Sequence, residues 1–153
     1  MYVYVFFVLL ILLCVLLFLV KIEYELLKIM RIRYDNSAQI LFFLKKWDKR
    51  VEEEKFFLGN CLTLAGYKSI AVYGCGILGK RLVRELENSS VKVKYYIDKN
   101  AKNLHSEIPV FSAAEALCEV DVIIITVVSQ FYEIKAELEK RNFCNIISLE
   151  DLI

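Results

Sequence analysis

The chain opens with a block that has no polar face. From Tyr2 to Val20 there is no charge, no Gly, no Pro and no strongly polar side chain. A helix of that length rises about 28 Å, close to the hydrocarbon thickness of a bilayer. A helix buried in a soluble protein would normally keep one polar face. The pattern therefore predicts a transmembrane helix over residues 1–21. Polar positions then return. Asp35-Asn36-Ser37 has the chemistry of a helix start, and Ile40, Leu44, Trp47 and Val51 follow at helical spacing among Lys45, Lys46, Lys49 and Arg50. Phe56, Phe57, Cys61, Leu62 and Leu64 continue as a second apolar-rich helix, with Gly66 as its C′ residue. No Gly-, Ser- or Pro-rich linker follows, so residues 22–66 read as a helical lead-in.

From Lys68 the period changes. Ile70-Ala71-Val72-Tyr73 is a short apolar run, which predicts a buried strand, and Gly74-Cys75-Gly76 is a turn. Residues 77–88 place Ile77, Leu78, Leu82, Val83 and Leu86 on one helical face. Val91 to Ile97 reads as a second strand. Ile108-Pro109-Val110-Phe111 reads as a short edge strand, with Pro at its start, where a missing N–H is tolerated. Ser112-Ala113-Ala114-Glu115 has the capping-box spacing and predicts a helix to about Cys118. Residues 122–128 form the most hydrophobic soluble strand. Phe131 to Arg141 reads as a helix with Lys135–Glu139 and Glu137–Arg141 pairs, and residues 145–149 as a last strand. Strands alternating with helices predict an α/β fold: a parallel sheet covered on both faces, with right-handed crossovers. The expected spatial order is 108–111, 91–97, 70–73, 122–128, 145–149. Residues 67–153 thus read as one domain, about half of a doubly wound nucleotide-binding fold with a strand added.

Composition sharpens this division. The apolar share is 58% over 153 residues, but residues 1–20 are apolar throughout and the remainder has an ordinary globular share. The net charge of +1 gives no support for nucleic-acid binding. Residues 21–68 carry a surplus of three positive charges and residues 69–153 an excess of two negative charges. Lys21, Lys28, Arg31 and Arg33 flank one end of the apolar helix and no Lys or Arg flanks the other, which predicts a single-pass anchor with the carboxyl-terminal part in the cytoplasm. A secretory signal would want a basic leading region, a shorter apolar core and a small-residue cleavage site, none of which is present. Tyr2, Tyr4 and Tyr24 suit the interfacial aromatic belt, or simply fill apolar positions. The basic amphipathic stretch around Trp47 either lies on anionic lipid or packs its stripe on the soluble domain; Glu52-Glu53-Glu54 favours packing. Five widely spaced cysteines without Cys-x-x-Cys, and one histidine, His105, argue against a disulfide framework or a metal site and for reduced thiols.

The chemistry concentrates at Gly74-x-Gly76-x-x-Gly79, which follows a strand and opens a helix, with Asp98 closing the next strand 19 residues after Gly79. The first glycine permits a tight turn, the second lets backbone N–H groups approach a pyrophosphate at the helix N-terminus, and the third lets helix and sheet pack closely. Asp98 can accept hydrogen bonds from two ribose hydroxyls, and an acid there favours NAD over NADP, a preference that Lys99 and Lys102 weaken. The candidate cofactor-binding set is Gly74, Gly76, Ile77, Leu78, Gly79 and Asp98, with Thr126 and Ser129 from the loop after the fourth strand. The same residues also fit a sharp connection that holds no ligand, with Asp98 capping its own loop and Ser129 capping the next helix. Cys75 at a helix N-terminus has one influence lowering its pKa, yet reads as an ordinary loop thiol. Tyr24-x-x-x-Lys28 and Tyr95-x-x-x-Lys99 match the Tyr/Lys spacing of short-chain dehydrogenases, but one lies beside the membrane and the other spans a strand end. No catalytic acid–base constellation stands out.

Tyr73-Gly74-Cys75-Gly76-Ile77-Leu78-Gly79, Leu82, Leu86, Val93 to Asp98, Ile108-Pro109-Val110 and Asp121-Val122-Ile123-Ile124 form an ordered set. Over roughly residues 66–153 it resembles the Rossmann-like domains of bacterial surface-polysaccharide enzymes, which precede the catalytic part of membrane-bound nucleotide-sugar dehydratases and of sugar acyltransferases. The resemblance implies a three-layer Rossmann-like domain that binds NAD(H) or a nucleotide-sugar and serves polysaccharide biosynthesis, with a glycosyltransferase or another synthesis protein as partner. Two other functions remain open: a small oxidoreductase- or epimerase-like enzyme that completes its site with a partner, and an interaction module without a ligand.

Overall fold

The computed structural model describes residues 2–53, 57–115, 119–143 and 145–153. The chain divides into two units, Met1–Phe42 and Phe43–Ile153. The first is helical throughout its described length. Helix α1 (Tyr2–Glu53) runs for 52 residues without a break. Its first part is long and apolar enough to cross a membrane, and residues 4–20 are all exposed. The start expected at Asp35-Asn36-Ser37 is not one. The Ser37 hydroxyl donates to the carbonyl of Arg33 one turn back, at 2.9 Å, so it bonds within a continuing helix instead of capping a new one.

In the second unit the last turns of α1 lie against the sheet domain. Trp47 is buried and Leu44 and Val51 are half-buried, as the predicted stripe requires, and Phe43, outside the predicted set, is buried as well. The stripe packs on protein because one carboxylate ties three segments together. The Trp47 indole N–H donates to Glu85 Oε2 at 2.6 Å, and the Leu58 amide donates to Glu85 Oε1 at 2.7 Å. Glu85 belongs to helix α3 (Ile77–Leu86), and Leu58 opens helix α2 (Leu58–Leu64). The Asp48–Arg81 pair, 2.8 Å apart, and the Arg81 guanidinium over the Trp47 ring flank this junction. The α2 helix ends as expected: Gly66 takes φ +86°, its amide donates to Thr63 O, and the Tyr67 amide donates to Leu62 O.

Five strands follow: β1 (Ser69–Tyr73), β2 (Lys92–Ile97), β3 (Val110–Phe111), β4 (Val122–Ile125) and β5 (Ile146–Ser148). All pairings are parallel, and the order is β3-β2-β1-β4-β5, as the sequence predicts. The register skips Lys94, a bulge that leaves Lys92 and Lys94 exposed before the buried Tyr95-Tyr96-Ile97. The interiors of β1 and β4 are buried without alternation. On one side Ala71, Tyr73, Tyr95, Ile97, Ile123 and Ile125 join Ile134 and Leu138 of helix α4 (Phe131–Glu139). On the other, α3 comes within contact distance of Val72 and buries Leu78, Leu82 and Leu86. Each such aliphatic side chain contributes roughly 1.5–3 kcal/mol by leaving water.

Several boundaries differ from the expectations. The strand expected over 122–128 stops at Ile125, and Val128–Gln130 forms a 3₁₀ turn. The strand expected to Leu149 stops at Ser148, whose hydroxyl accepts the Glu150 amide and caps a short helix α5 (Leu149–Leu152). Helix α4 ends at Glu139, two residues before Arg141; its Lys135–Glu139 pair is 3.9 Å apart. At the expected capping box the Glu115 carboxylate accepts the Ser112 amide, and residues 113–115 form a turn. The rest of that expected helix, 116–118, lies outside the described residues, as does Cys144.

A second carboxylate ties the amino edge of the sheet. Asp121 Oδ2 accepts the amides of Lys68 and Ser69 at 2.8 and 2.7 Å and the Ser69 hydroxyl at 3.1 Å. Those amides, helped by the hydroxyl and by nearby Lys68, hold the Asp121 carboxyl below its ordinary pKa.

Two outcomes follow from these ties. Glu85→Ala strands two donors and is expected to lower the unfolding free energy of the full chain in detergent by about 2–4 kcal/mol, with Glu85→Gln costing less. The single tryptophan, Trp47, reports the unfolding by fluorescence. The stabilisation from Asp121 is present above the ordinary carboxylate range and lost as pH falls through its depressed pKa. The stability gap between the native chain and Asp121→Asn should therefore be widest near neutrality and close on acidification, as read by denaturant midpoints across pH.

Candidate functional site

The glycine turn sits at the carboxyl end of β1, where the strand order reverses. From β1 the chain passes to β2 on one side, and β4 lies on the other. In open parallel sheets this reversal leaves a crevice beyond the strand ends. The three glycines play different parts there. Gly74 takes φ +103°, a conformation costly for any other residue, and a Cβ on it would lie 2.7 Å from Thr126 Oγ1. At Gly79 a Cβ would lie 2.0 Å from the carbonyl oxygen of Gly74, so α3 meets the end of β1 at a distance only glycine permits. Gly76 is exposed, and a Cβ there would meet nothing within 4 Å. It is the N-cap of α3 and has no side chain to satisfy the first amides of the helix.

Asp98 reaches across to this turn. Its Oδ2 accepts the Cys75 amide at 2.9 Å, and its Oδ1 accepts the Asn100 amide at 2.9 Å. It thus braces the glycine turn and also turns its own loop. From the other side, the buried Thr126 hydroxyl lies 2.9 Å from Tyr73 O and 3.3 Å from Gly74 O, donating to the strand end. The structure therefore brings Gly74, Asp98 and Thr126 together around one turn, with Gly79 beneath it. Ile77 is 62% exposed, whereas Leu78 is buried. Leu78 can offer a ligand only its backbone. Ser129 is exposed inside the 3₁₀ turn; the N-cap of α4 is Gln130, so the expected cap at Ser129 is not made.

Three titratable groups line the same region. Cys75 is buried, and burial pushes its thiol up; Lys80 opposes and Asp98 adds to the shift. The result is a protonated thiol at neutral pH, opposite to a helix N-terminus acting alone. Tyr96 is pushed up to about 12, chiefly by burial, with Cys75 beside it. Tyr73 is raised by burial, then by Glu137 and Asp98, and its buried hydroxyl has no hydrogen-bond partner among the described residues. Neither tyrosine was in the set drawn from the sequence. For Tyr73 the available signal was an aromatic with a polar tip closing an otherwise aliphatic run, Ile70-Ala71-Val72; Tyr96, inside β2, carried no such signal.

Comparison with known protein families, with characterised proteins and with solved structures returned no match for the chain.

The contrast among the glycines is directly testable by thermal and chemical denaturation of the full chain. Gly74→Ala and Gly79→Ala are each expected to cost about 2–4 kcal/mol, from a left-handed backbone and from a backbone clash respectively. Gly76→Ala should stay within roughly 0.5 kcal/mol of the native chain.

Proposed function

We propose that this is a single-pass membrane protein with a cytoplasm-facing, three-layer Rossmann-like domain. We further propose that the domain binds NAD(H) or a nucleotide-sugar at the carboxyl edge of the sheet and acts as an accessory to surface-polysaccharide synthesis. The observation that carries this reading is Gly76: the one glycine of the three that packing does not require, left open at the N-terminus of α3 in the crevice beside β1 and β4. Free helical amides and the positive end of a helix dipole suit a pyrophosphate. A carboxylate has about four acceptor positions, and Asp98 spends two on Cys75 and Asn100, leaving two for a ribose diol. Its charge opposes a 2′-phosphate, which favours NAD(H) over NADP(H). Thr126 supports the turn through its buried hydroxyl, which donates to Tyr73 O. The resemblance to polysaccharide-enzyme domains supplies the biological setting, and the basic flank of the apolar helix supplies the orientation. A glycosyltransferase or other synthesis enzyme in the same membrane is the partner of this reading.

A second reading has its own support. Both oxygens of Asp98 and the Thr126 hydroxyl are satisfied within the chain, as in a turn that serves only as scaffold for an interaction module.

A thermal-shift panel on the full chain in neutral detergent separates the two. The probes are NAD(H), NADP(H), UDP-sugars, coenzyme A and S-adenosylmethionine. NAD(H) or a UDP-sugar should stabilise the chain, by about 2.7 kcal/mol at a hundredfold excess over Kd. Gly76→Val, which fills the open approach without touching the packed turn, should abolish the shift, and Asp98→Ala should weaken it. If no probe shifts the native chain, the interaction-module reading replaces the first.

A further inference from the structure

The opposite, amino edge of the sheet holds a cavity of about 430 Å³ lined by Thr63, Gly66, Tyr67, Lys68, Ser90 and Lys92. Its two lysines are neighbours by the register of the sheet. Ser69 pairs with Lys92, and the Lys92 amide donates to Lys68 O at 2.8 Å. Like charges on adjacent strands repel. Neither ammonium forms an ion pair within 4.0 Å of a carboxylate among the described residues. Asp121, at the same edge, lies toward β4 and spends its Oδ2 on the Lys68 and Ser69 amides, although its charge is felt at Lys68. The lining also carries hydroxyls. Thr63 donates to Gly59 O at 2.7 Å and lies 2.8 Å from the Ser90 oxygen. The Thr63 proton is thus committed, so Ser90 is the donor to Thr63, and its oxygen keeps acceptor capacity only. Gly66 leaves its corner open, with nothing within 4 Å of where a Cβ would stand. The carbonyls of Leu62 and Thr63 at the end of α2 are covered by the Tyr67 and Gly66 amides, so the helix end does not present them to an anion.

We infer that this cavity is a phosphate site. Lys68 and Lys92 would supply two cationic clamps, and the Tyr67 hydroxyl a neutral donor for a remaining oxygen. Phosphate suits this arrangement because it offers several oxygens and enough charge to relieve the repulsion between the lysines. The group can come from a free phosphate or phosphomonoester, or from the headgroup of an anionic lipid. The inference does not depend on nucleotide binding at the carboxyl edge.

The test uses the full chain in neutral detergent, labelled with an amine-acetylating reagent and read lysine by lysine by mass spectrometry. Inorganic phosphate should slow acetylation of Lys68 and Lys92 by about tenfold at ten times its Kd, relative to chloride or acetate at equal ionic strength. Lys94, exposed on the same strand, should be unaffected, and Lys92→Gln should abolish the protection of Lys68. Protection at Lys80 in place of Lys68 and Lys92 would assign phosphate to the glycine turn and overturn the inference. So would uniform slowing or none. The same labelling in phosphatidylcholine vesicles with and without about one-fifth phosphatidylglycerol identifies the source. Protection that needs only phosphatidylglycerol assigns a lipid headgroup, and protection that needs added phosphate assigns a soluble one.

Discussion

Helix α3 meets the end of β1 at a distance that excludes a side chain, and the architecture around the site depends on that approach. With a Cβ at position 79 only 2.0 Å from Gly74 O, any other residue would push the helix off the sheet. Leu78, Leu82 and Leu86 would then lose the surface they bury against. The loss would spread further, because the same helix carries Glu85 and Arg81, which hold Trp47, Asp48 and Leu58. The close approach also forces Gly74 into a left-handed conformation. That conformation turns the Cys75 amide toward Asp98 and places the Gly74 carbonyl beside Thr126. One steric constraint thus sets the turn, its two braces and the seat of the α1 end.

The two edges of the sheet use the same electrostatic device. At each, an aspartate at one strand end accepts backbone amides from a neighbouring segment: Asp98 from Cys75, besides Asn100 of its own loop, and Asp121 from Lys68 and Ser69. Charge-assisted bonds of this kind are stronger than neutral ones and fix the ends of parallel strands, where ladder bonds run out. The difference lies in what surrounds them. Asp98 is half-buried, and its charge reaches the Cys75 thiol and the Tyr73 phenol, both already pushed up by burial. Asp121 is exposed and sits beside Lys68, at an edge whose adjoining cavity carries a second lysine.

Most of the sheet was legible because its signals are local. Unbroken runs such as Val122–Ile125 mark buried strands, and alternation with helices dictates parallel pairing, so the complete strand order follows from topology rules. The glycine roles were legible at Gly74 and Gly79. What escaped turned on competing local structure or on a partner distant in the chain. Asp35-Asn36-Ser37 looks like a helix start because these residues compete for backbone groups, but in a continuous helix Ser37 satisfies itself one turn back on Arg33. Thr126 was read as facing a ligand. Whether it does so depends on the position of the Tyr73 carbonyl, 53 residues away, and its hydroxyl is spent there. Ser129 had the right chemistry for a cap, yet it lies inside a 3₁₀ turn and Gln130 takes the N-cap position of α4.

The same distinction bears on how the acid at the end of β2 should be understood. A carboxylate that only capped its own loop would need the Asn100 amide and nothing else. Asp98 also crosses to the turn after β1 and holds the Cys75 amide, which fixes the direction of the adjoining backbone at Gly76. That orientation has no packing purpose of its own, since nothing stands against Gly76. A scaffold needs Gly74 and Gly79 but gains nothing from a residue without a side chain at the open position between them. On the proposal of nucleotide binding, the open glycine and the charged brace beside it are accounted for together, because that backbone stays accessible to a ligand.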